Sequence, residues 1–321
     1  MYLNAIFGLG LLLAANIGFA ADPYPSKPVT LVSTFAAGSS IDIIARIVAK
    51  PMSESMGQQV MVDDKPGAGG DIATNFVAKS AKDGYTLGMA SVGPLIVNPL
   101  LRKKMPYDAA QDLAPISLIG RGPNAILINP SLPVKTLAEL ISYIKAHPGK
   151  VSYASAGVGT SGHLAGELFK YLSKTDILHV PYKGNSETVT DVIGGRVQVL
   201  FSGLPPVLPM VEAGKLRAIA MADSVRSPLL PAVPTVSEAG LPGAESGAWY
   251  GMVAPAGTPP EVLERAHKEL GRALERPDVR QQLSKIGVDT AFMSQAEFAS
   301  MLKSETVKLQ QLFKAANIQP E

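Results

Sequence analysis

The sequence predicts an α/β protein of two lobes, with mostly parallel sheets and a cleft between the lobes. Three observations carry this. Short apolar runs with strand character alternate with segments of helical periodicity along most of the chain, and strands that alternate with helices pair mainly in parallel. One of these strands, 151–154, runs into a turn of small residues and then into a helix from 162. A second unit of the same design, a strand at 29–35 and a helix at 42–56, lies far upstream. Two matched turns so far apart suit a ligand held between lobes, each lobe offering one helix N-terminus.

Size and composition fit that architecture and exclude several alternatives. The chain has 321 residues, 46% hydrophobic and 17% charged, enough for one large or two medium domains. A net charge of +2 gives no reason to expect nucleic acid as a partner. The absence of cysteine excludes disulfides, thiolate metal sites and a cysteine nucleophile. Residues 5–17 form an apolar run, and Gly18-Phe19-Ala20 places small residues at both specificity positions before a cut. Residues 1–20 therefore read as a secretory signal and the protein as periplasmic, a retained anchor being the alternative. The run lacks a flanking Lys or Arg and is short for a membrane span.

In order, the first lobe is expected from residues 21–121 and 225–321, and the second from 122–224. Strands are expected at 29–35, 60–62, 85–90 and 112–118, with helices at 42–56 and 72–81. The second lobe reads as strands at 125–128, 151–154, 177–180, 197–201 and 216–221, separated by helices at 137–146, 162–172, 186–193 and 206–213. A strand at 249–253 follows, then helices at 261–275, 278–285 and 295–316 that fold back on the first lobe.

The two turns carry the chemistry. The first N–H groups of a helix have no partner within it, and the helix dipole makes that end partly positive. In the turn after 151–154, Ser155, Ala156, Gly157, Thr160 and Ser161 are small or hydroxyl-bearing, so a bound anion can approach the backbone closely. The upstream turn offers Phe35, Ala37, Gly38, Ser39 and Ser40. Asp42 is expected to cap its own helix rather than to react. Ser91 and Ser202 end strands, where open α/β sheets place ligand contacts. Tyr182, in Tyr182-Lys183-Gly184, either reaches the cleft or belongs to an ordinary strand-end turn.

Which anion binds stays open at this point. Gly157-x-Gly159-x-x-Gly162 has the dinucleotide spacing, but the acidic residue that pattern needs after the next strand is replaced by Pro181-Tyr182-Lys183. A structural turn without ligand, a small carboxylate, and an enzyme site for a nucleotide or phosphate ester all fit. His163 and Glu167 have metal-ligand spacing without an evident third ligand, so no metal and no cofactor are expected. Ser161 is followed two residues later by His163 rather than by the glycine of a nucleophile elbow, and no Walker motif occurs.

Taken in order, the segments resemble the Bug family, the periplasmic solute receptors of tripartite tricarboxylate transporters. The markers are Phe35-Ala36-Ala37-Gly38 through Asp42 and Ala45-Arg46, Asp83-Gly84-Tyr85-Thr86-Leu87, Ser155-Ala156-Gly157 with His163-Leu164-Ala165-Gly166-Glu167, Val180-Pro181-Tyr182-Lys183-Gly184, and Ala254-Pro255-Ala256-Gly257-Thr258-Pro259-Pro260. The resemblance spans nearly the whole mature chain. It implies the periplasmic-binding-protein architecture and a binding protein rather than an enzyme. It also implies a small carboxylate ligand gripped by the two turns, service to a tripartite-type transporter or a related sensing system, membrane transporter subunits as partners, and a monomer. Thr34 and Gly38-Ser39 stand where family members usually carry Pro and Gly-Gly, and Ser202 where many carry an acid. An acid there would suit a ligand amino group, so Ser202 speaks against an amino-acid ligand.

Overall fold

The computed structural model describes residues 24–315, and the signal segment read at 1–20 lies outside them. Two sheets organise the chain. The first has six strands in the order β11-β4-β10-β3-β1-β2, and the second has five in the order β7-β6-β8-β5-β9. The first comprises β1 (Val29–Ser33), β2 (Val60–Asp64), β3 (Thr86–Ser91), β4 (Leu113–Gly122), β10 (Ala248–Pro255) and β11 (Asp289–Thr290). The second comprises β5 (Asn124–Ile128), β6 (Ser152–Ser155), β7 (Leu178–Pro181), β8 (Val199–Gly203) and β9 (Arg217–Ala222).

Parallel pairing covers part of each sheet. β1 lies parallel to β2 and β3, and β6 parallel to β7 and β8. Elsewhere the expected parallel order gives way: β10 runs antiparallel to β3 and β4, and β5 antiparallel to β8 and β9. β5 and β10 lie at the crossings, and the two-residue edge strand β11 is also antiparallel, to β4. Each of β5 and β10 enters its sheet directly from the other sheet, so its direction is set by that entry and not by a preceding helix.

The helices cover the sheets as their periodicity dictates. In α1 (Ser40–Met56), Ile41, Ile44, Val48 and Met52 recur at helical spacing and are buried beside Val29 and Leu31 of β1. Gly57 ends the helix in the left-handed conformation that favours glycine, its N–H bonded to the Ser53 carbonyl. Next come α2 (Asp71–Ala78), a π-helical turn at Gly93–Val97 that runs into α3 (Asn98–Leu101), and α4 (Ala109–Asp112). The helical character of 93–101 has no counterpart in the sequence reading. On the second sheet lie α5 (Leu137–Ala146), α6 (Ser161–Ser173), α7 (Asn185–Ile193) and the short α8 (Leu208–Glu212). The C-terminal helices α9 (Pro260–Glu275), α10 (Pro277–Lys285) and α11 (Gln295–Ala315) return to the first sheet, where Leu270 and Leu274 pack with the α1 core and Phe298 with Trp249 of β10.

The boundary expected at 225 falls inside a segment that packs on the second sheet. Val236, Leu241 and Ala244 are buried with Ile126 and Phe169, and Thr235 bridges to Met221 of β9. The chain therefore crosses once at Pro123, between β4 and β5, and again just before β10. Asn124 ties the two crossings together by donating its side-chain amide to the Ser246 carbonyl. A further contact joins the halves: Leu164 and Leu168 of α6 are buried in the core that contains Val97 and Trp249. Full burial of a leucine is worth roughly 1.5–3 kcal/mol, so this contact favours the two halves staying together.

Candidate ligand cleft

Two helix N-termini meet between the sheets, and each is prepared by its own turn. In the first, Ser39 caps α1 from an extended backbone and accepts the Asp42 N–H at 3.3 Å. Asp42 reaches back to accept the Gly38 N–H at 2.7 Å, which is the capping role expected for it. Its carboxylate also pairs with Arg46 at 2.6 Å, and Arg46 bridges on to Asp64 at 2.8 Å. The turn thus consumes the N–H groups of Gly38 and Asp42 internally. Ser40 and Ile41, the first two residues of α1, are left with N–H groups that have no acceptor within their own helix.

The second turn reaches the same result with neutral groups. Thr160 caps α6, accepting the His163 N–H at 3.2 Å and donating to the Gly157 carbonyl at 2.8 Å. Ser155 is fully buried beneath the turn, where its hydroxyl bonds Gly157 and lies 2.8 Å from His179 Nε2. The Gly159 N–H donates to His163 Nδ1 at 3.1 Å. Tyr153, His179 and His163 stack in series, with ring centroids 4.6 and 4.5 Å apart. Burial, and then the neighbouring His163 and Lys170, hold the His179 imidazole down at about 3, so it stays neutral. Ser161 and Gly162 are the α6 counterparts of Ser40 and Ile41.

These groups face one cleft with a cavity volume of about 50 Å³. Of the candidate residues, Phe35, Ser39, Ser40, Ser91, Ala156, Thr160, Ser161 and Ser202 line it. Ala37 and Gly38 are exposed on the turn before α1 and do not line the cleft, although a Cβ on Gly38 would stand 3.8 Å from Ser186 Oγ of α7. Ser155 supports the second turn from below and does not line the cleft. Gly157 and Tyr182 line a neighbouring recess that shares Phe35 and Ala156 with the cleft. The Tyr182 hydroxyl is bonded to Asp191 at 2.7 Å.

Asn185 and Tyr250, which sequence reasoning missed, also line the cleft, together with Gly203 beside Ser202 and the buried Trp249. Asn185 opens α7 and donates to the Ser202 hydroxyl at 2.9 Å. Tyr250 is buried and bonds Ser40; burial pushes its phenol up to about 12, so it remains a neutral hydroxyl. A Cβ on Gly203 would stand 2.8 Å from Ser40 Oγ and 3.1 Å from the Tyr250 hydroxyl, so only glycine lets these groups converge. The helical start at 185 was a legible signal for Asn185. Tyr250 had none, because its place depends on β10 pairing with β3, a strand far away in sequence.

The cleft therefore offers hydroxyls and helix N-termini, and no residue lining it carries a formal charge. That combination suits an anion that is desolvated and held by dipoles. His163 and Glu167 are committed elsewhere, Glu167 accepting the Tyr153 hydroxyl at 2.6 Å. Among the described residues no three His, Asp or Glu gather as a metal site.

A family model described as tripartite tricarboxylate transporter family receptor matches residues 44–318. The chain belongs to this family. BugT of Bordetella pertussis is 38% identical over 275 residues, which are 85% of this chain and 84% of BugT. The structure of Rpa4515 from R. palustris with adipate superposes with a TM-score of 0.90 at 35% identity, covering 93% of this chain and 100% of that one. MatC from Rhodopseudomonas palustris with bound malate gives 0.86 at 31% identity, covering 90% and 99%. The Bug-family receptor described here is thus a two-lobed α/β solute-binding protein and not an enzyme, which sets aside the nucleotide and phosphate-ester reading of its glycine turns.

Proposed function

We propose that this receptor captures a small carboxylate in the cleft and presents it to the membrane subunits of a tripartite tricarboxylate-type transporter. One observation carries the reading: the N-termini of α1 and α6, from different sheets, converge on a hydroxyl-rich cleft without formal charge. The N–H groups of Ser40, Ile41, Ser161 and Gly162 hold the carboxylate, and Ser39, Ser91, Ser202, Asn185 and Tyr250 shape its surroundings. One lobe consists of residues 24–122 with 247–315 and the other of 124–246, hinged at the two crossings. A ligand bridging both helix ends favours the closed arrangement by its differential affinity for it. The signal pattern at 1–20 directs export, and the mature receptor works in the periplasm as a monomer.

Adipate and malate, bound by the two relatives, are the first candidates. Calorimetric titration with malate, adipate, citrate, AMP and inorganic phosphate tests the reading. Binding of at least one carboxylate and of neither phosphate compound is expected. Binding of AMP or phosphate with no response to the carboxylates would contradict it.

A further inference from the structure

We propose that Gly69, Gly93, Gly159 and Asn98 form a closure seat, which sets the receptor's affinity without touching what it binds. The proposal rests on the cleft being the binding site, and none of the four residues lines it. Gly69, Gly93 and Asn98 lie between strands of the first sheet, whereas Val158 and Gly159 belong to the turn that opens α6. Across this seam the backbones meet without side chains between them. A Cβ on Gly69 would stand 2.1 Å from the Val158 carbonyl oxygen, and a Cβ on Gly93 would stand 2.6 Å from that of Gly159. A Cβ on Gly159 would lie 1.4 Å from Asn98 Oδ1. Neither carbonyl can swing aside as a flexible side chain can, so an added methyl must push the halves apart.

Asn98 is held rigidly for this contact. It is fully buried, and its Nδ2 donates to Asp71 Oδ1 at 2.6 Å and to the Gly69 carbonyl at 3.1 Å. Asp71 is itself fixed by the Tyr107 hydroxyl at 2.7 Å and Arg102 at 2.9 Å. The amide oxygen left over faces Gly159 and has no hydrogen-bond partner. Water reaches that oxygen when the halves separate, and closure strips the water away without replacing it, which opposes closure. The seat thus combines a close geometric fit with a standing cost, so a ligand must supply the balance. Because Gly159 and the α6 N-terminus share one turn, an obstacle at the seat also holds Ser161 and Gly162 away from α1.

Gly93 provides the clean test. Gly69 and Gly159 have φ of +66° and +82°, where alanine strains the backbone regardless of closure. Gly93 lies in a helical turn without positive φ, so Gly93→Ala fits the separated lobes. Closure itself is read by a disulfide. The Cβ of Gly184, whose φ of 179° suits any residue, would lie 3.3 Å from Ala36 Cβ across the cleft. That is close to the usual disulfide range of about 3.5–4.5 Å. The chain has no cysteine, so the A36C/G184C pair reacts only with itself.

In this background G93A should slow oxidative cross-linking at least about tenfold without ligand, the scale of one overpacked contact. It should also raise the adipate or malate off-rate with little change in on-rate. The ligand-free melting temperature should not fall, which separates a closure defect from a folding defect. Cross-linking and off-rates equal to those of the parent would overturn the seat. If G93A slows cross-linking but neither carboxylate accelerates it in the parent, the seat stands and the proposed ligand reading fails.

Discussion

The turn before α1 and the turn before α6 do the same work by different means. Each satisfies some of its own N–H groups internally, those of Gly38 and Asp42 in the first and of Gly159 and His163 in the second, and leaves the first two of the helix without a helical acceptor. The α1 turn is fixed by charge: Asp42 accepts from Gly38 and pairs with Arg46, which also holds Asp64. The α6 turn is fixed by neutral groups, Ser155 and Gly159 being anchored on a His179–His163 stack. The difference teaches that a helix N-terminus needs a rigid turn, and that the chemistry of the support is free to vary. It also means that the two halves of the cleft respond to different perturbations.

On folding stability the greatest loss should follow removal of the charged support. Asp42→Ala strips the acceptor from the Gly38 N–H and leaves Arg46 with Asp64 alone. A hydrogen bond to a charged group is worth about 1.5–3 kcal/mol, so chemical denaturation should show a loss of about 2 kcal/mol. Carboxylate affinity should fall with it, since Ser40 and Ile41 follow directly. Wild-type stability in this variant would show that Asp42 is not the keystone of its turn.

A smaller effect separates the neutral support from the charged one. His179 is held at about 3 against an ordinary value near 6.5. Between these values the unfolded chain takes up a proton that the folded chain refuses. The stabilisation is therefore complete above about pH 6.5 and is lost as pH falls through the window, by at most about 1.4 kcal/mol per unit before solvent screening. Melting temperatures measured from pH 7.5 to pH 5 should decline, and His179→Phe, which retains a ring in the stack, should flatten the decline. An equally steep decline in that variant would assign the acid sensitivity elsewhere.

Much of this design was legible in the sequence, and the part that was not has a common cause. The helix read at 42–56 is Ser40–Met56, and the one read at 162–172 is Ser161–Ser173, because periodicity and capping residues are local signals. Ser39, Ser40, Thr160 and Ser161, singled out by the same local signals, line the cleft. Ser155 was read as a ligand group because small residues in a turn look alike, whereas its hydroxyl is turned to the half-buried His179 and to Gly157. The antiparallel entry of β10, and with it Tyr250, depends on pairing with a strand far away in sequence. Residues 225–245 carry loop composition, and nothing local tells which sheet a loop packs on.

Whether backbone N–H groups, and not side-chain charge, hold the ligand can be read directly at the start of α6. Proline at the first residue of a helix removes one N–H and keeps the helix. Ser161 is that residue in α6, and Thr160 before it has φ −69° and ψ 163°, a conformation proline accepts in its predecessor. Calorimetric titration of adipate and malate into Ser161→Pro and Ser161→Ala therefore isolates the N–H from the hydroxyl. A modest loss is expected for the alanine variant, about 1 kcal/mol, and a further loss of about 1.5–3 kcal/mol for the proline variant, with the ligand-free melting temperature maintained. Equal affinity in the two variants would contradict a hold by the backbone.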